Sequence, residues 1–167
     1  MGWLVLLSSK PVLHCINRYL DMAEVIKDLG VRVIADHLGG LKGTSCLPTG
    51  TDILTQPGFA TLLSLAKSHH VVIKISGLYR LSNSVATTYA DLEPLVKQFV
   101  RAVPEQLIWA SDFPHTGKGE DRKGRGVDVP ESFQIIDDVR ILKLLRSRVP
   151  AQVWQDIMVT NPERIYA

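Results

Sequence analysis

Three stretches of this sequence carry residue types able to act together: Asp36-His37-Leu38-Gly39-Gly40, Ser76-Gly77-Leu78-Tyr79-Arg80 and Ser111-Asp112-Phe113-Pro114-His115. Each follows directly on a short apolar run. An acid at the end of a buried strand, partly removed from water, can take a proton from water or pass one to a leaving group, and Asp112 is the candidate. His37 can donate a hydrogen bond to a substrate carbonyl and draw charge onto its oxygen as water attacks. Arg80 offers a planar fork suited to a carboxylate. Tyr79 can hydrogen-bond an ester or ring oxygen. His115 faces either the same site or solvent. Together these groups describe a polar site with a base, a carbonyl-polarising group and an anion clamp.

Each residue also has a plainer reading. Asp112 can cap the turn that follows it. His37 can be a hydrogen-bonded structural histidine beside Gly39-Gly40. Arg80 can be a surface charge or an ion-pair partner, and Tyr79 can be packing. Asp36 reads as a supporting residue that orients a neighbour. His69 and His70 sit at a helix end, where a cation is mildly favourable, and are assigned no chemistry. His14 reads as structural. The basic residues Lys118, Arg122, Lys123 and Arg125 form a solvated face or steer an acidic substrate.

The elements that must position the site follow from apolar patterning. "WLVLL" (3–7), "VRVIA" (31–35), "VVIKI" (71–75) and "LIWA" (107–110) are nearly continuous apolar runs, as expected of strands buried on both faces. Helical patterns follow each. "YLDMAEVIKDLG" places Leu20, Ala23, Ile26 and Leu29 on one side, with Gly30 as the stop. "PGFATLLSLAKSHH", with Pro57 at its start, groups Phe59, Leu62, Leu63 and Ala66. "DLEPLVKQFVRAVP" groups Leu92, Leu95, Val96, Phe99 and Val103. "PESFQIIDDVRILKLLRS" groups Phe133, Ile136, Val139 and Leu142. The last segment, "AQVWQDIMVTNPERIY", is an amphipathic tail. The order is β-α-β-α-β-α-β-α plus that tail, the signature of a parallel sheet with helical crossovers. The loops 40–52 and 115–130 both lie at strand carboxyl ends, the functional end of such a sheet.

Composition narrows the classes. The chain has 167 residues, 46% hydrophobic and 22% charged, with a formal charge of +2, which is ordinary for one globular domain. That balance gives no bulk reason to expect nucleic acid or a membrane as a partner. No apolar run approaches the ~18 residues of a membrane span. Cys15 and Cys46 do not make a disulfide framework, so a reduced cytoplasmic setting is expected. No G-x-S-x-G elbow, P-loop, H-E-x-x-H or His-x-His is present.

The motifs "VIADHLGG", "VVIKISGLYR", "LIWASDFPHTG" and the terminal "TNPERIYA" resemble the second half of the amidohydrolase-related (type 2) TIM-barrel hydrolases. The resemblance extends from about Gly30 onward and is to the branch holding 2-pyrone-4,6-dicarboxylate lactonase and related sugar and aryl lactonases. It implies an α/β fold that is the C-terminal half of a (β/α)8 barrel, a fold that takes ~250 residues when whole. Residues 1–167 would then be a partial domain carrying strands five to eight, with the N-terminal half absent. It implies a hydrolase acting on a small carboxylate-bearing lactone. Asp112 would be catalytic, His37 would polarise the carbonyl and Arg80 would contact the substrate carboxylate. Tyr79 and His115 would be further substrate contacts.

The resemblance implies no metal held by this chain alone. Zinc or manganese would need histidine ligands from the missing half, as a metal-dependent decarboxylase of the same superfamily would require. A catalytically inactive half-barrel is the other alternative. An open four-strand sheet is expected to expose two edges and an apolar inner face, which invites self-association.

Overall fold

The computed structural model describes residues 4–7, 18–117, 124, 126 and 128–167. Trp3, His14, Cys15, Lys118, Arg122, Lys123 and Arg125, singled out above, lie outside the described residues. Four strands form one parallel sheet in the order β1 (Leu4–Leu7), β2 (Arg32–Ala35), β3 (Val71–Ile75) and β4 (Leu107–Trp109). The registers align Val5 with Val33, Ile34 with Val72 and Lys74 with Ile108. Helices α1 (Arg18–Asp28), α2 (Phe59–Lys67) and α3 (Glu93–Ala102) are the crossovers, and α4 (Asp138–Arg148) follows β4. Helix α5 (Ala151–Gln155) runs through one π-helical turn, Asp156–Thr160, into α6 (Asn161–Tyr166). None of the described helices is long and apolar enough to cross a membrane.

Alternation along the strands divides the sheet into two faces. Val33, Ala35, Val71, Ile73, Ile75 and Leu107 point toward the helices and join the main core with Ile26, Leu62, Leu65, Leu95 and Phe99. Phe59 and Phe99 meet there with ring centroids 5.7 Å apart. The opposite face carries Ile34, Val72 and Ile108, and Ile165 of α6 packs on them. All three strand residues are buried, so this apolar face is not the open surface expected from four strands alone. The terminal segment is anchored by polar bonds. Asn161 donates through Nδ2 to the carbonyls of Pro104 and Leu107 at 2.9 and 2.8 Å. The Arg32 guanidinium donates to the carbonyls of Arg164 and Ile165, both at 3.1 Å.

Some helix expectations are corrected. Helix α1 ends at Asp28, so Leu29 falls beyond it and is exposed. Helix α2 starts at Phe59 behind a left-handed Gly58, with Pro57 outside. The largest shift is in α4, which begins at Asp138 and not near Pro130. The Asp137 carboxylate accepts from the backbone N–H of Arg140 and caps the helix there. Phe133 and Val139 are exposed, and Ile141 and Leu145 supply the buried face instead. Upstream of the cap, Ile136 still packs against the core from a non-helical segment, while Phe133 and Ile135 are exposed.

Candidate functional site

The carboxyl ends of β2, β3 and β4 bring five of the residues singled out above to one place. Asp36 and His37 follow β2, Tyr79 and Arg80 follow β3, and Asp112 follows β4. Parallel register fixes this convergence, because strands aligned side by side in the same direction end on the same rim. His37 Nε2 lies 3.7 Å from Asp112 Oδ1. The other carboxylate oxygen, Oδ2, accepts from the Tyr79 hydroxyl at 2.7 Å and from Arg80 Nε at 2.6 Å. The two oxygens of Asp112 therefore differ: one is held by donors and the other faces the imidazole.

Backbone geometry serves the same end. His37 and Asp112 both adopt positive φ, 50° and 71°, in the left-handed region. Such conformations cost on the order of 1 kcal/mol in a non-glycine residue and concentrate at functional sites. Gly77, at φ +53°, passes directly beneath the pair. A Cβ on Gly77 would stand 2.6 Å from His37 Nδ1 and 2.9 Å from Asp112 Oδ2. Only glycine allows both the conformation and that approach.

Arg80 is more committed than its sequence suggests. Besides Asp112, it donates to Thr116 Oγ1 at 2.9 Å and to the Gly117 carbonyl at 3.3 Å. Its guanidinium also lies 4.9 Å from the centroid of the Tyr79 ring. A guanidinium has five N–H donors, and contacts with the described residues use three of them. Burial raises the Tyr79 pKa, and the hydrogen bond to the Asp112 carboxylate adds to the rise, so Tyr79 stays a neutral donor. Burial also lowers the pKa of His37, outweighing the pull of Asp36 and Asp112 toward the charged form.

His115 stands one step back. It is buried, Nε2 lies 3.0 Å from Asp138 Oδ2, and its ring meets Tyr79 edge-on at 5.6 Å. Its Nδ1 has no hydrogen-bond partner among the described residues. The structure thus places His115 between the Tyr79 ring and Asp138, the first residue of α4.

Three residues escaped assignment from sequence: Lys74, Ser76 and Thr116. Lys74 Nζ pairs with Asp36 Oδ1 at 2.7 Å, and Ser76 Oγ donates to the same oxygen at 2.8 Å. A signal for Lys74 was present. It is the one charge inside the apolar run "VVIKI", and a buried lysine requires a partner. Among the described residues, no group of three or more His, Cys, Asp or Glu is arranged to hold a metal ion. Beside His37 and Asp112, the third near neighbour is the Arg80 guanidinium, a cation and not a ligand. The donors present do not by themselves fit a metal.

Comparison with known proteins bears on the family and the fold. The family model described as Amidohydrolase matches residues 18–167. A 4-sulfomuconolactone hydrolase from Hydrogenophaga intermedia is 28% identical over 151 residues, covering 90% of this chain and 44% of that protein. A 2-pyrone-4,6-dicarbaxylate hydrolase from Comamonas testosteroni is 25% identical, covering 99% of this chain and 49% of that protein. The apo crystal structure of a protein from Agrobacterium tumefaciens superposes with a TM-score of 0.68 at 22% identity, covering 98% of this chain and 50% of the other. At that identity the likeness establishes a shared α/β fold with a parallel sheet. The chain spans about half the length of the curated relatives it matches.

Proposed function

We propose a role in lactone hydrolysis from one premise: the chain belongs to the amidohydrolase family. The observation that carries the reading is the asymmetric Asp112 carboxylate, with Oδ2 held by Tyr79 and Arg80 and Oδ1 turned toward His37. Oδ1 takes a proton from water as the water oxygen attacks the lactone carbonyl carbon. The ring C–O bond then breaks, and the proton passes from Asp112 to the departing oxygen. The products are a carboxylic acid and a hydroxyl on one opened chain, and the acid then releases its remaining proton to solvent as it ionises to the carboxylate. The substrate is a small lactone bearing a carboxylate, and in this reading the remaining N–H donors of Arg80 bind that carboxylate. His37 faces the same water or carbonyl oxygen, and its neighbours decide which way its hydrogen bond runs.

The names of the relatives support a lactone as substrate. In this reading β1 to β4 are strands five to eight of an eight-stranded barrel, and the rest of the site lies on strands one to four. The chain's coverage of about half of each relative favours a second reading for the isolated chain, a scaffold that binds but does not turn over.

A chimera joining the N-terminal half of the Hydrogenophaga enzyme to this chain tests both. The folded chimera should open a carboxylate-bearing lactone, followed by loss of ring absorbance, while the chain alone should not. A folded chimera that opens no lactone, including the relative's own substrate, would overturn the hydrolase reading.

A further inference from the structure

We infer that Ser76, backed by Asp36 and Lys74, holds His37 in the tautomer that carries its proton on Nδ1, so that Nε2 faces the site as a hydrogen-bond acceptor. The functional meaning rests on the hydrolase reading above; the tautomer does not.

The assignment follows from counting donors. A serine hydroxyl has one proton to give and two lone pairs to receive with. Ser76 Oγ lies 2.8 Å from Asp36 Oδ1, and a carboxylate can only accept, so the hydroxyl proton goes there. The remaining neighbours of Oγ are two nitrogens of His37, the backbone N at 3.3 Å and Nδ1 at 2.9 Å. With its proton committed, Oγ can only accept from Nδ1, and Nδ1 must be protonated. The opposite tautomer would turn the Ser76 proton toward Nδ1. Oγ and Asp36 Oδ1 would then be two buried acceptors in contact, with the desolvation of an unmet acceptor left uncompensated. The Asp36 carboxylate also lies 3.5 Å from Nδ1 and attracts a proton to that side of the ring.

Lys74 completes the chain. Asp36 is buried, and an uncompensated carboxylate there would be expensive. Lys74 Nζ supplies the opposite charge at 2.7 Å from the same oxygen that receives the Ser76 proton. Asp36 Oδ1 also accepts from the His37 backbone N–H at 3.0 Å, which ties the carboxylate to the turn that carries the imidazole. Lys74, Asp36 and Ser76 are thus positioning residues. They act on the reaction only through His37.

The consequence concerns the water. Nε2 of His37 and Oδ1 of Asp112 are 3.7 Å apart and are both acceptors in this state. One water molecule lying between them can donate a hydrogen to each. As it attacks, the proton facing Oδ1 transfers to Asp112, and the hydrogen facing Nε2 fixes the orientation of the oxygen lone pair. His37 then aims the nucleophile. It can donate to a carbonyl from Nε2 only after taking up a second proton.

The tautomer is measurable without turnover. Protein labelled with nitrogen-15 at histidine gives a two-bond proton–nitrogen correlation pattern that separates the forms, recorded at about pH 8, where an unperturbed imidazole is neutral. The signals of His37 are identified by their absence in His37→Gln. The wild-type chain should show a protonated Nδ1 and an unprotonated Nε2. In Ser76→Ala the pattern should move toward a protonated Nε2, the form that an unconstrained imidazole favours. Ser76→Thr keeps the hydroxyl and should keep the wild-type pattern. A wild-type spectrum with the proton on Nε2 overturns the inference whether or not any variant folds. An unchanged pattern in folded Ser76→Ala overturns the part assigned to Ser76. If the tautomer is as stated and the chimera opens no lactone, the hydrolase reading fails and the tautomer stands; the reverse result fails the inference alone.

Discussion

Nε2 of His37 and Oδ1 of Asp112 stand 3.7 Å apart on the same rim of one parallel sheet, after β2 and β4, 75 residues apart in sequence. Among the described residues, neither the oxygen nor the nitrogen is occupied by a stronger partner on that side. Every other polar atom of the two side chains is engaged: Asp112 Oδ2 by Tyr79 and Arg80, His37 Nδ1 by Ser76. A pair of side chains held from behind and open toward each other is organised to act on a third molecule.

Replacing Asp112 by Asn keeps the shape and removes the proton acceptor. In the active chimera, Asp112→Asn should lower kcat by about 100-fold to 10,000-fold, the range associated with loss of a general base. Far-ultraviolet circular dichroism should be unchanged. Turnover within a few-fold of the parent would mean that another group takes the proton.

Gly77→Ala should disturb the same pair from below. The added methyl carbon meets His37 Nδ1 and Asp112 Oδ2 inside van der Waals contact, at a backbone φ of +53° that disfavours any side chain. A loss of about 1–3 kcal/mol in urea unfolding is expected from the strain alone. A variant as stable as the parent would show that the loop can move aside.

His37 makes the stability depend on pH in a definite direction. Burial is the largest cause of its lowered pKa, and Lys74 and Arg80 add to the lowering. The unfolded histidine takes up a proton near about pH 6.5, while the folded one resists. Below that pH the unfolded chain binds more protons, so stability falls as pH drops from about 6.5 toward the folded pKa, and is complete above it. Urea midpoints measured from about pH 7.5 down to about pH 5 should decline, and His37→Gln should flatten the slope. An equal slope in the variant would assign the effect to other groups.

Ile165→Ala tests the sealing of the second sheet face. Ile165 packs on Ile34, Val72 and Ile108 in one buried cluster. Removing it should cost about 2–4 kcal/mol through lost contact and a residual cavity. The observable is the urea midpoint. It should be accompanied by increased binding of a hydrophobic dye. No change in either would mean that α6 contributes little to closing this face.

The sequence alone was enough to place β2, β3 and β4, because a parallel strand buried on both faces must be a short, continuous apolar run. It also placed Asp36, His37, Tyr79, Arg80 and Asp112 on one rim, since parallel strands joined by helices all end on the same side. The start of α4 was not legible. The apolar period of residues 130–137 resembles a helix, and only the capping carboxylate of Asp137 and the position of the core decide that the helix begins later. Nor could patterning show that Ile165 covers the second face, because that contact joins residues more than fifty positions apart. Within the site, residue types announced a base, an imidazole and a guanidinium but not their wiring. That Arg80 grips Asp112, that Lys74 answers Asp36, and that Ser76 stands between Asp36 and His37 are matters of distance between separate loops. Hydrogen bonds act over about 3 Å, and sequence spacing carries no information at that scale once the chain has crossed a sheet.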